Sequence, residues 1–255
     1  MKIYLDSNIF IYLENKSLTI ADLEDLIKSK ITKILFSATH ISEALEIEGN
    51  TAIERKNRII KRLNLIENIT QNHYINESIG NEVYEIIESP FEVFKTITDV
   101  PFAQNSMKSL INLIGEDQRV EIRKVLNLDP KRINNYKPDE VIEHLNYKLS
   151  ETGQDFTFLS LIELGISYHK DAKTFGRSNR FAAIFELLDM FGYWKDTATS
   201  KSNYARFSDS SHAFFASYCD YFITDDKRTR NKTEVVYKIY DIKTKVISSK
   251  SKNQG

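Results

Sequence analysis

Apolar and polar positions along this chain fall into two regimes. Near both ends, short buried runs alternate with helical patterns. Lys2 to Asp6 (KIYLD) reads as a strand, and an apolar stripe at Ile9, Ile11, Tyr12 and Leu13 takes over as a helix. Ile20 to Lys30 is a second helix with Leu23, Leu26 and Ile27 on one face. Lys33 to Ala38 (KILFSA) is the next strand, and Thr39 or His40 is expected to cap a helix carrying Ser42, Glu43, Leu45 and Ile47. Near the other end, Ala213, Ala216 and Ser217 recur at helical spacing between Asp209 and Cys219, which lets a helix lie close against a sheet. Tyr221 to Thr224 is then a short strand ending in Asp225 and Asp226, followed by a helix from about Asn231 to Tyr240 and a strand at Lys245 to Ser248.

Between Asn50 and Arg206 the pattern is helical without obvious strands. Ala52 to Leu65, Asn81 to Ser89, Ser106 to Ile114, Arg119 to Leu128, a helix opened by Pro138, Phe156 to Tyr168, and Ser178 to Phe191 stopped by Gly192 are the expected pieces. The predicted fold is α/β, a three-layer α/β/α arrangement with a central, mainly parallel sheet and a large all-helical insertion. Strands near residues 2, 33, 221 and 245 share the sheet, so residues of about 1–50 and 205–250 form one domain around an insertion of about 51–204.

That topology decides where the acids go. A helix of about eleven residues travels roughly 16 Å and a short strand returns roughly 15 Å, so Asp209 and the Asp225-Asp226 pair meet at one sheet edge. Asp6 ends the first strand, and Glu43 lies in the first turn of its helix, at the same edge. In open α/β sheets that edge is where ligands bind. Taken singly, Asp6 and Asp209 are ordinary N-caps, Glu43 a favourable acid near a helix start and Asp226 a turn residue. Together they repel one another unless a cation compensates, and oxygen-only donors suit Mg²⁺ or Mn²⁺. Asp6, Glu43, Asp209 and Asp226 are therefore the candidate catalytic acids. All four, with Asp225, are candidate metal ligands. One or two such ions would support hydrolysis of a phosphodiester. Ser7, Asn8 and Thr224 are placed to hydrogen-bond the ligands or water, and Lys227 and Arg228 open a basic run reaching Lys232 that would hold flanking phosphates.

Composition narrows the classes. The chain carries 35 Lys and Arg against 36 Asp and Glu, a net charge of -1 that argues against a generic electrostatic nucleic-acid binder. Its single cysteine, Cys219, excludes an intrachain disulfide and a Cys-based zinc site. Glu163, Glu186 and Asp189 interrupt the most apolar stretches before they reach membrane-spanning length, and Met1 to Asp6 has no signal-peptide pattern. The expectation is a cytoplasmic protein with no membrane partner.

Three segments resemble the PIN (PilT N-terminal) domain, a group of metal-dependent nucleases that includes bacterial toxin ribonucleases. They are D-S-N at Asp6 to Asn8, S-E-A at Ser42 to Ala44, and D-S-S-H followed by A-S-Y-C-D-Y-F-I-T-D-D from Asp209 to Asp226. The resemblance covers roughly residues 1–48 and 207–249 and leaves the middle unassigned. It implies a Mg²⁺- or Mn²⁺-dependent endonuclease with RNA favoured over DNA as substrate. The implied acids are Asp6, Glu43, Asp209 and Asp226, the last favoured over Asp225 because the family's acid follows its threonine by two positions. An antitoxin or other regulatory protein, and a second copy of the chain, are the partners it allows. The competing readings are a PIN-like module that binds nucleic acid or protein without cleaving, and a phosphatase with Asp6 as nucleophile. The second wants an aspartate at position 8, where Asn8 stands.

Overall fold

The computed structural model describes residues 1–78, 80–98, 115–168, 175–196 and 200–250. The chain divides into two compact units, Met1–Ala103 with Phe215–Asp226 and Lys243–Gly255, and Gln104–Phe214 with Lys227–Ile242.

The first unit is built on strand β1, Lys2–Leu5, whose Ile3, Tyr4 and Leu5 are wholly buried. Burial on both faces is what a continuous apolar run implies for a central parallel strand. Helices α1 (Ser7–Glu14) and α2 (Ile20–Ile27) lead to β2 (Lys33–Leu35). The start of α2 is fixed reciprocally, since Thr19 Oγ1 accepts from Asp22 N–H at 3.2 Å and Thr19 N–H donates to Asp22 Oδ2 at 2.8 Å. Helices α3 (Ala38–Leu45) and α4 (Ala52–Thr70) follow.

The next stretch departs from expectation. Residues 73–87 form an antiparallel hairpin of β3 (His73–Glu77) and β4 (Val83–Ile87), where the apolar spacing of 81–89 predicts a helix. Tyr84, Ile86 and Ile87 all remain exposed on β4, so the strand lacks the one-sided alternation that marks a half-buried strand in sequence. The turn supplies the signal, with Asn81 at φ 64 after Gly80 and a Ser78 N–H to Glu82 O bond of 2.8 Å. The hairpin joins the end of β2 through Phe36, which donates to His73 O at 3.0 Å and accepts from Ile75 N–H at 2.9 Å. Helix α5, Pro90–Thr98, follows it. The described residues 51–98, expected within the insertion, lie in the unit that holds the sheet.

The second unit is helical throughout its described residues. It holds α6 (Glu116–Val125), α7 (Pro130–Ile133), α8 (Pro138–Ser150), α9 (Phe158–Ser167) and α10 (Arg177–Met190). It also holds most of α11 (Ser200–Ala216) and all of α12 (Lys227–Ile239). Gly192, at φ 94, lies just beyond α10, in a conformation that favours glycine. The helix expected at 106–114 lies outside the described residues. Two starts are corrected. Helix α11 begins at Ser200, so Asp209 lies within it and not at its N-cap, and α12 begins at Lys227, four residues before the expected Asn231.

Strands β5 (Tyr221–Ile223) and β6 (Lys245–Ile247) complete the sheet in the order β2-β1-β5-β6, every pair parallel. The chain is therefore an α/β protein with a four-stranded parallel sheet and a helical central region. Among the described residues, no helix is long and apolar enough to cross a membrane.

The second unit buries a charge network. Asp189 Oδ2 accepts from Arg206 Nη1 at 2.7 Å and from Arg119 Nη1 at 3.2 Å, while its Oδ1 meets Lys232 Nζ at 3.1 Å. Asp196 Oδ2 contacts Lys232 Nζ at 3.1 Å and Arg206 Nη1 at 3.2 Å, and Glu186 pairs with both arginines. Burial by itself would raise the Asp189 carboxyl, yet the charges of Lys232 and Arg206 hold it below its usual range. Asp189→Ala would leave three buried cations short of their shared acid, at a cost of about 3–5 kcal/mol. A marked fall in the urea midpoint of the Asp189→Ala variant, with Asp139→Ala at an exposed position in the first turn of α8 as control, is the expected result.

Candidate functional site

All four strands run the same way, so their C-terminal ends share one edge, and the residues that follow β1 and β5 meet there. Asp6 directly follows β1 and is only 5% exposed. Its backbone N–H donates to Ile223 O at 2.9 Å, extending the β1–β5 ladder by one step. Its Oδ2 accepts from Thr224 Oγ1 at 2.6 Å, and the same Oγ1 accepts from Asp226 N–H at 3.2 Å. One buried hydroxyl thus fixes the Asp6 carboxylate and the turn that carries Asp226. Next to Asp6, Ser7 donates to Glu43 Oε2 on α3. Two hydroxyls therefore tie Asp6, Glu43 and the Asp226 backbone into one constellation. Ser7 and Thr224 bond the acids themselves, and Asn8 stands exposed in the first turn of α1.

A buried polar cluster behind Asp6 was not legible as part of the site. Ser37, not Thr39 or His40, is the N-cap of α3. Ser37 N–H donates to His40 Nδ1 at 3.1 Å, which makes Nδ1 the acceptor, so Nε2–H donates to Leu5 O at 2.8 Å. His40 thereby satisfies the last carbonyl of β1, one residue before Asp6. Tyr4 OH lies 2.6 Å from Ser37 Oγ and 3.4 Å from Nδ1 of His40. Burial lifts the Tyr4 hydroxyl far above its usual range, the Ser37 hydrogen bond offsets part of this, and the charges of Glu43 and Asp6 add to the rise. The Tyr4 phenol thus senses both acids. The signal in the sequence was the spacing of Ser37 and His40, a cap residue and its third successor, with histidine in the place usually held by Glu or Gln.

Asp225 points elsewhere. Its Oδ1 accepts from Ser248 Oγ at 2.6 Å and Ser249 N–H at 2.8 Å, and its Oδ2 accepts from Ser249 Oγ at 2.8 Å. Both oxygens are engaged in closing the turn after β6, so Asp225 serves the sheet and not the strand-end edge. Cys219 is buried and its thiol is pushed up to about 12, first of all by that burial, which makes it a poor metal ligand.

The remaining predicted residues belong to the second unit. Asp209 is half-buried within α11. Lys227 and Arg228 are exposed at the start of α12, where Lys227 Nζ stands 4.5 Å from the Trp194 ring centre and Arg228 Nε lies 3.9 Å from Asp196 Oδ1. Lys232, expected in a phosphate-holding run, is 1% exposed and spent on Asp189 and Asp196.

The donors of the first-unit constellation are all oxygens, the chemistry that suits a hard divalent ion. Among the described residues, no three His, Cys, Asp or Glu side chains gather as a metal-holding group.

Asp225 sets an acid-sensitive element. Burial opposes its charged form, but hydrogen bonds from Ser248 and Ser249 outweigh it and hold the carboxyl below its ordinary range. A depressed native pKa contributes stability that is present above the unfolded value, about 3.9, and is lost as pH falls through the lower native value. Asp225→Asn should therefore be less stable than the parent at pH 7, with the gap narrowing below about pH 4. Denaturation midpoints measured from pH 7 to pH 3 check this, and a constant gap would count against it.

Compared with protein-family models, curated proteins and solved structures, the chain matches none.

Proposed function

We propose that this protein is a metal-dependent nuclease that hydrolyses phosphodiester bonds, with RNA the favoured substrate, and that its site is the strand-end edge bearing Asp6, Glu43 and Asp226. The observation that carries this reading is the pair of hydroxyl bridges, Thr224 to Asp6 and Ser7 to Glu43, which hold carboxylates from separate segments at that edge. Resemblance to PIN-domain nucleases in the same segments supports it.

In this reading Asp6, Glu43 and Asp226 would hold a Mg²⁺ or Mn²⁺ ion. A bound ion of this kind supplies charge neutralisation at the phosphate and a more acidic water. The chain's own residues hold the acids in place. Thr224 orients one Asp6 oxygen, Ser7 orients Glu43, and His40 with Tyr4 fixes the backbone from which Asp6 projects. A positioned carboxylate needs no reorganisation when charge develops, which is how fixed groups accelerate such reactions.

The rival is a module of the same fold that binds nucleic acid or protein without cleaving. One experiment separates them. Single-stranded and structured RNA, with DNA alongside, are incubated with the protein in Mg²⁺, Mn²⁺ or EDTA, and Mn²⁺ binding is followed by calorimetry. Metal-dependent cleavage should fall by about 100-fold or more in Asp6→Asn and Asp226→Asn, on the scale of single electrostatic groups in active sites. Cleavage that persists in EDTA, or survives both substitutions, rejects the assignment. Neither cleavage nor Mn²⁺ binding would hand the site to the binding module.

A further inference from the structure

In the first unit, α4 and α5 enclose an apolar groove of about 240 Å³ lined by Ala52, Ile59, Ile60, Leu63, Phe91 and Phe94. The volume falls below the roughly 300–1,000 Å³ of small-molecule sites, so a cofactor-sized ligand does not fit. It suits one or two apolar side chains inserted from outside. Ile53, 75% exposed, lies two turns before groove-lining Ile60, 37% exposed, on α4 and extends the apolar stripe beyond the groove. Arg55 and Lys56 flank it.

The charges at the rim are one-sided. Arg58 pairs with Glu54, and Lys61 and Arg62 both pair with Glu14. Among the described residues, neither Arg55 nor Lys56 has a carboxylate partner, Arg55 bonding instead to the Leu45 and Ile47 carbonyls. An apolar slot between helices, bordered by cations without counter-charges, matches the helix-in-groove mode of recognition. Nucleic acid is disfavoured because the floor offers two phenylalanines and four aliphatic side chains, with few polar groups to meet phosphates.

We propose that this groove is a docking site for an amphipathic helix of a partner protein, with apolar anchors spaced i, i+3, i+4 and i+7 on one face and Asp or Glu beside them. The anchors fill the space over Ile59, Leu63, Phe91 and Phe94, and the acids meet Arg55 and Lys56. The surface is independent of the carboxylate edge, so the proposal stands apart from the nuclease reading.

The test uses the full chain and a fluorescein-labelled, 16-residue model helix with leucine at the four anchor positions and glutamate flanking them. Controls are a peptide of the same composition in scrambled order and one with lysine in place of glutamate. Saturable binding of the acidic helix, at least tenfold tighter than of either control, is expected. It should weaken about tenfold in Lys56→Glu and in Ile60→Glu, both exposed positions, and broaden or shift amide resonances of α4 and α5. Equal binding of all three peptides, or no effect of either substitution, overturns the proposal. Absence of saturable binding overturns it too. A parent dimer converted to monomer by Ile60→Glu assigns the groove to a second copy of the chain, and RNA crosslinked at Phe91 or Phe94 assigns it to nucleic acid; either result rejects the helix.

Discussion

The pairing of β1 on both sides governs this molecule. Ile3, Tyr4 and Leu5 are fully buried, so every backbone N–H and C=O of the strand needs a partner inside the protein. On one side Ile3 registers with Ile34 of β2, and on the other with Tyr221 of β5. The second partner comes from more than 200 positions away, as the separation of 218 between Asp6 and Thr224 records. Parallel pairing then obliges each connection to cross back over the sheet and brings the strand ends, with their acids, to one edge. The carboxylate constellation follows from a backbone requirement before any chemistry is invoked.

How much of this could be read from the sequence differs by element. The four strands near residues 2, 33, 221 and 245 announced themselves as short apolar runs, and among the described residues they form the four-stranded parallel sheet. Parallel order followed from the βα alternation. The hairpin did not show itself, because β4 packs too little of its surface to carry a period of two, and its apolar residues mimic a helix. The extent of α11 was hidden similarly, since polar Ser200 to Arg206 lack an apolar stripe ahead of Asp209. At the strand-end edge, the positions of Asp6 and Asp226 just beyond β1 and β5 were legible. The division of labour between Asp225 and Asp226 was not, for it depends on Ser248 and Ser249 arriving from β6.

The charge network shows a different limit. Glu186 and Asp189 interrupt an apolar run, and in sequence they mark only the failure of a membrane span. In the folded second unit they are the acids to which Arg119, Arg206 and Lys232 are fixed. Lys232 belongs by sequence to a basic run, and burial removes it from that run. Local charge density predicts a surface only when each charge faces solvent, and here the partners that decide the matter lie scattered from 119 to 232.

The division of the chain has a consequence for synthesis. The backbone enters the second unit after Ala103, returns at Phe215, leaves again after Asp226 and comes back at Lys243. Neither unit is complete until the segment from Phe215 to Ile247 has been made: one waits for β5 and β6, the other for α12. On the ribosome, β1 must remain without its β5 partner while some 215 residues emerge, at about 5–20 residues per second a delay of roughly 10–45 seconds. Throughout that interval the edge of β1 that β5 will cover stays open to mispairing with other chains.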